Sequence, residues 1–317
     1  MNTQKSSFIA GIGLLTVALL LTIVTTPSSM TADPGFSDWS TPVNLGPLIN
    51  SAFNDIGPAL SKDGLSLYFY SNRPGGFGGL DIWICQRTKD EDAWGVPMNL
   101  GPIINTSATE GVPSFSRDGH WMFFNSNRAG GFGSTDIWAS WRPQTHDDFG
   151  WQTPINLGPE VNGAGGDSNA TFFANEEGGA PLLFYGSNRP GGPGLGDVYV
   201  SALISGSFGP AVVVPELSSP QADMGGTIRF DGLEFIQFSN RTGSLGNFDL
   251  WASTRKAALD NWSTPANLGA IVNSVANELT PHLSADRRLL LFGSDRPGGF
   301  GAVDLYITTR ERLNSKR

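Results

Sequence analysis

The chain is short of cysteine, of histidine and of positive charge. Cys85 is the only cysteine among 317 residues, so no internal disulfide can form and burial must hold the fold. It sits in the apolar run Asp81 to Cys85, where it reads as a small core residue with nothing local to activate a thiol. The three histidines, His120, His146 and His282, form no cluster with metal-ligand spacing. With 20 Lys and Arg against 29 Asp and Glu, the net charge of −9 lacks the basic face that nucleic acid requires. No Gly-x-Ser-x-Gly elbow is present, and spacing pairs no nucleophile with a base. The glycine-rich stretches are followed neither by a helix nor by Lys-Ser/Thr, which excludes a phosphate-binding loop.

What is present is glycine (41), proline (21), tryptophan (9) and phenylalanine (20), with 39% apolar residues to build a core. Aromatic abundance favours strands, and the Gly and Pro then punctuate turns. Residues 1–32 differ: Lys5 precedes the apolar run Phe8 to Val24, the layout of an export signal. The run is also long enough to stay as an uncleaved anchor, with Lys5 leaving the N-terminal end in the cytoplasm. No cysteine follows it, so a lipoprotein anchor has no support. Either way the remainder is expected in the periplasm, at the cell surface or outside the cell, with the membrane met only through this segment.

Repeats organise the rest, with a period of about 55 residues. An aromatic opens each unit: Trp39, Trp94, Trp151, Phe208 and Trp262. Fifteen or sixteen residues later comes an acid: Asp55, Glu110, Asp167, Asp223 and Glu278. Eighteen residues after the acid, or twenty-two in the third unit, stands Arg73, Arg128, Arg189, Arg241 or Arg296. Eight residues on, in every copy, comes an aspartate: Asp81, Asp136, Asp197, Asp249 and Asp304.

Each unit resolves into four short strands. Ile56 to Ser61 leads through a tight Asp-Gly turn into Leu65 to Ser71. A Gly-rich loop then reaches Asp81 to Arg87, and Trp94 to Gly101 completes the set. The second strands are apolar on nearly every residue, so both their faces must be covered. Antiparallel sheets packed face to face around an axis meet that need, which predicts an all-β, five-bladed propeller over residues 33–312. Its blades are expected at 55–101, 110–158, 167–217, 223–269 and 278–310, with 39–46 completing the last and 313–317 as a tail. The Trp39 region matches a fourth strand and Asp304 to Arg310 a third, so the first segment closes the ring. Gly78, Gly133, Gly194, Gly246 and Gly301 share one position in the Gly-rich loops, where positive φ is expected.

The units Pro58 to Trp83 and Pro113 to Trp138 resemble WD40-like (PD40) repeats, as in TolB-type propellers. The W-x-x-P-x-N-L-G-x-x-I-N stretches at Trp39, Trp94 and Trp151 also resemble repeats of envelope proteins that pair such a propeller with a peptidoglycan-binding domain. The resemblance implies a propeller; its functions range over scaffolds, peptide-binding surfaces and some enzymes.

In an up-and-down blade the five acids and five arginines fall at one end of the axis. They are expected to form a ring of ion pairs fixing neighbouring blades, with the aspartate eight residues on capping its own loop. A Ca²⁺ ion held by some of the acids is the alternative; otherwise no cofactor is expected. His282 breaks the repeat at a position held elsewhere by Ala59, Ser114, Thr171 and Thr227, and could face the central funnel. The functional expectation is a non-catalytic propeller holding a protein segment or glycan at the acid and arginine rim. A secreted glycoside hydrolase or lyase is the alternative, with Asp167 and Glu278 as its carboxylates by default.

Overall fold

The computed structural model describes residues 35–176 and 178–313. The expected export segment at 1–32, and all but the first residue of the expected tail, lie outside them. The described residues form strands, turns and loops without a helix.

Five antiparallel sheets follow one another. Blade 1 comprises Asp55–Leu60, Ser66–Ser71, Asp81–Gln86 and Met98–Asn99. Blade 2 comprises Glu110–Phe115, Trp121–Ser126, Asp136–Trp141 and Ile155–Asn156. Blade 3 runs from Asp167–Phe173 through Leu182–Ser187 and Asp197–Ile204 to Val212–Val213, with an extra pair at Ser207–Phe208. Blade 4 comprises Asp223–Ile228, Glu234–Ser239, Asp249–Thr254 and Ala266–Asn267. Blade 5 takes Glu278–Leu283, Leu289–Ser294 and Asp304–Thr309 from the end of the chain and Val43–Asn44 from its beginning.

The ring closes as the repeats predict. Val43 pairs with Ile307 and Asn44 with Tyr306, while Trp39 packs into the cluster that holds Tyr306. A second clasp pairs Phe36 with Arg312. The fourth strands are shorter than expected, two residues each; in four blades a proline without an N–H to donate, Pro42, Pro97, Pro154 or Pro265, stands immediately before the strand.

The core is not one mass but five interfaces between blades. Tyr68 and Ile84 of blade 1 pack on Met122, Phe124 and Trp151 of blade 2, and each later interface has its own cluster. Phe69, Phe124, Phe235 and Phe292 on the second strands are fully buried, each stabilising by about 1.5–3 kcal/mol. Both-sided cover is what their unbroken apolar runs demand.

The Gly-rich loop is a clasp between blades. Gly79 N donates to Ala108 O, and Ser134 N to Gly165 O, each on the connector entering the next blade. A Cβ on Gly78 would stand 1.9 Å from Ala108 O, and one on Gly301 1.8 Å from Phe53 O. Positive φ, expected at these glycines, belongs instead to Gly75, Gly130, Gly191, Gly243 and Gly298 three residues earlier. The shared glycine is required by close approach of two backbones, not by its dihedral.

Candidate functional site

At the ring end all five acids are 0% exposed. Each stands at the start of a first strand, and its carboxylate bridges two segments of its own repeat. One oxygen accepts from the backbone four residues earlier: Ser51 N at 2.5 Å for Asp55, Thr106 N at 2.6 Å for Glu110, Ser274 N at 3.0 Å for Glu278. The other meets the arginine. Asp55–Arg73 is 2.5 Å, Glu110–Arg128 3.2 Å, Asp167–Arg189 2.6 Å and Glu278–Arg296 2.8 Å, and Asp223 pairs with Arg241.

These pairs lie within blades, which corrects the expectation that they join neighbours. The acid and its arginine occupy one sheet because the first and second strands are paired, Asp55 opposite Ser71. What joins neighbours is backbone: the N–H of each acid donates to the residue before the previous blade's loop-capping aspartate, as Glu110 N does to Leu80 O at 2.8 Å. Each arginine also donates to the connector from the preceding blade, Arg296 to Val272 O at 2.8 Å. It then stacks on an aromatic of the third strand, Arg73 on Trp83 and Arg296 on Tyr306.

The aspartates eight residues on cap their loops. Asp81 accepts from Phe77 N at 2.5 Å and Gly78 N at 3.0 Å, and Asp136, Asp249 and Asp304 do the same in their blades. Each of these four also receives an asparagine amide from the fourth strand: Asn99, Asn156, Asn267 and Asn44. Blade 3 has Val213 at that position. Among the described residues Asp197, 1% exposed, keeps only Gly194 N at 3.2 Å as a backbone donor, and its Oδ1 has no partner. Burial there pushes its carboxyl above the ordinary value.

His282 lines the narrow axial channel, a space of about 50 Å³ between Pro58, Pro113, Pro281 and the small first-strand residues. Its Nε2 accepts from Leu60 N at 3.1 Å across the joint between blades 5 and 1. Thr171 and Thr227 do this for Ile228 N and Leu283 N. The histidine is thus a larger acceptor at a repeated joint. Half-buried on the channel wall, its imidazole is lowered by burial to a pKa of about 4. Cys85 is buried, its thiol pushed up to about 12.

The channel opens at the ring end into a mouth of about 410 Å³. Ile56, Ser168, Met224 and Leu279, each next to a ring acid, line it; the acids do not. Asn125, Asn169, Asn188 and Thr135 supply its polar wall, with Tyr70 and Phe238 as apolar faces. Among the described residues no charged side chain lines it. Asn169 is 6% exposed, and among the described residues neither its Oδ1 nor that of Asn125 has a partner. First-strand bulges put Val112 at φ 49°, Asn169 at 54° and Thr280 at 47°, a left-handed conformation that strains β-branched residues.

Sequence reasoning missed Asn169 and Asn125, which have no landmark in the repeat. It also missed a second set of arginines six residues after the capping aspartates. Arg87, Arg142, Arg255 and Arg310 lie over Trp94, Trp151, Trp262 and Trp39 at 4.1–4.4 Å. That spacing was available as a signal. Asp148, reaching from blade 2 to Ser66, Tyr68 and Gln86 of blade 1, had none. Among the described residues no three His, Cys, Asp or Glu side chains gather to hold a metal ion.

No family model matches the chain, and no curated protein does. Among solved structures, the α-L-arabinofuranosidase from Lactobacillus brevis aligns with a TM-score of 0.58 at 13% identity, covering 85% of this chain and 93% of that one. The catalytic domain of Coprinopsis cinerea GH62 α-L-arabinofuranosidase gives 0.56 at 14%, covering 87% and 97%. The putative TolB from Agrobacterium tumefaciens aligns more loosely, with a TM-score of 0.49 at 13% identity over 88% and 99%. At such identities the likeness is of fold alone: the chain is a five-bladed β-propeller.

Proposed function

We propose that this protein is a non-catalytic binding propeller, exported to the cell envelope or beyond, that holds its ligand in the mouth beside the acid and arginine ring. The observation that carries the reading is Asn169: a buried amide whose oxygen has no partner among the described residues, on a left-handed bulge, at an uncharged mouth. A buried acceptor without a donor costs about 1–3 kcal/mol, which a ligand donor would recover. Between a protein segment and a glycan, the lining favours the glycan. Amides and hydroxyls beside Tyr70 and Phe238 match sugar hydroxyls and ring faces, and no charge selects a peptide.

A glycosidase, the activity named for several structures of this fold, needs two carboxylates flanking the bond to be cut. Here Asp167 and Glu278 are sealed against arginines, and among the described residues no carboxylate lines the mouth. Screening neutral oligosaccharides on an array, with hydrolysis monitored in parallel, tests the reading. Expected is binding without cleavage, lost in Asn169→Ala while the fold is kept. Release of reducing sugar, or binding indifferent to that substitution, sinks it.

A further inference from the structure

We propose that the opposite end of the channel is a second binding site, for a compact ligand bearing several phosphate or carboxylate groups. The hairpin turns between first and second strands wall a basin there of about 610 Å³, within the range of small-molecule sites. Arg117, Arg229, Arg287, Arg288 and Arg312 line it. These are five of the 20 Lys and Arg in a chain of net charge −9, drawn to one place from blades 2, 4 and 5 and the C-terminal segment.

The carboxylates around the basin hold Arg229, which Glu234 also meets at 3.7 Å, but do not cancel all of the other arginines. Asp231 pairs with Arg229 at 2.5 Å, and Asp286 is engaged by Ser284 Oγ and Arg288 N in its own turn. Arg117 with Glu176 and Arg288 with Glu311 are exposed pairs, which hold weakly and exchange readily. Among the described residues Arg287 and Arg312 have no ion pair. Arg287 lies on the Phe36 ring at 4.9 Å, and among the described residues its guanidinium has no hydrogen-bond partner.

Arg287 also breaks the repeat against local preference. The same turn, closed by the same backbone bond, places Gly64 at φ 74°, Gly119 at 79° and Gly232 at 73°; in blade 5 it places Arg287 at 68°. Glycine takes that conformation freely and an arginine does not. The turn therefore gains nothing from arginine, whereas a basin for anions does. Guanidinium forks match phosphate and carboxylate oxygens in pairs, which sets the ligand class.

The inference does not depend on the reading of the neutral mouth, and the test keeps them apart. The full chain is titrated calorimetrically at low ionic strength with pyrophosphate, with citrate and with maltose as an uncharged control. Expected is saturable binding of pyrophosphate or citrate but not maltose at this site, weakening as salt is raised. The tighter of the two anions identifies phosphate or carboxylate as the natural group. Arg287→Gly should weaken binding about tenfold, the loss of one charge-assisted contact, with the melting temperature kept or raised. Arg312→Ala should weaken it comparably, and Asn169→Ala should leave it unchanged. If neither anion saturates at millimolar concentration, or if Arg287→Gly binds as the parent does, the proposal is overturned.

Discussion

The two ends of the axial channel use the same residue types to opposite effect. At the ring end Asp, Glu and Arg recur in every blade, buried and closed on one another. Around the turn-end basin they follow no fivefold pattern, and two of the pairs, Arg117–Glu176 and Arg288–Glu311, stay exposed. A charge repeated fivefold and buried has been committed to holding strands and connectors together. A charge that breaks the repeat at the surface is still available to a ligand. The uncharged mouth obeys the same rule, since Asn169 is one blade's departure rather than a feature of all.

The contrast can be broken by mutation. Arg73→Ala at the ring end leaves the Asp55 carboxylate buried without its cation, and should cost about 3–5 kcal/mol in urea unfolding. Should the loss be no greater than for an exposed pair, the ring is not structural. Next in size is His282. The unfolded imidazole takes up a proton near pH 6.5 and the folded one only near 4, so stability is complete above 6.5 and falls as pH drops through that window. The loss should reach about 2–3 kcal/mol, and His282→Thr, matching Thr171 and Thr227, should abolish the slope. Unfolding curves with the same acid slope in both proteins would contradict this.

Smaller effects sharpen the comparison. Val213→Asn restores in blade 3 the amide that the other four capping aspartates receive, and should stabilise by about 1 kcal/mol at neutral pH. The sign follows from Asp197: its raised folded pKa means that stability present in acid is lost as pH rises and the carboxyl ionises. No gain, or a gain in acid alone, would reject the assignment. Arg117→Ala at the turn end should move stability by less than about 0.5 kcal/mol. A larger change would mean that this end, too, is held by its charges.

Much of the fold was legible because its determinants are local and repeated. Tight turns, two-sided apolar strands and the unvarying eight residues between arginine and aspartate lead to five blades, and the motif at Trp39 to the closure with Tyr306. Other assignments needed coordinates. Conserved spacing shows that a glycine is required at Gly78 but not whether for its dihedral or for the carbonyl of Ala108 beside it. The acids and arginines were found, yet which blade each pair belonged to depended on strand pairing. The unpaired amide of Asn169 and the meeting of Arg117, Arg287 and Arg312 arise from segments far apart in the chain.

The amino-acid order alone determined the blade, the number of blades and how the ring is sealed, since each follows from turn chemistry and side-chain period over a few residues. Tertiary structure alone decided which polar groups are spent and which are free. Whether a carboxylate or amide finds a partner depends on distances between blades, and those exist only once the circle has closed.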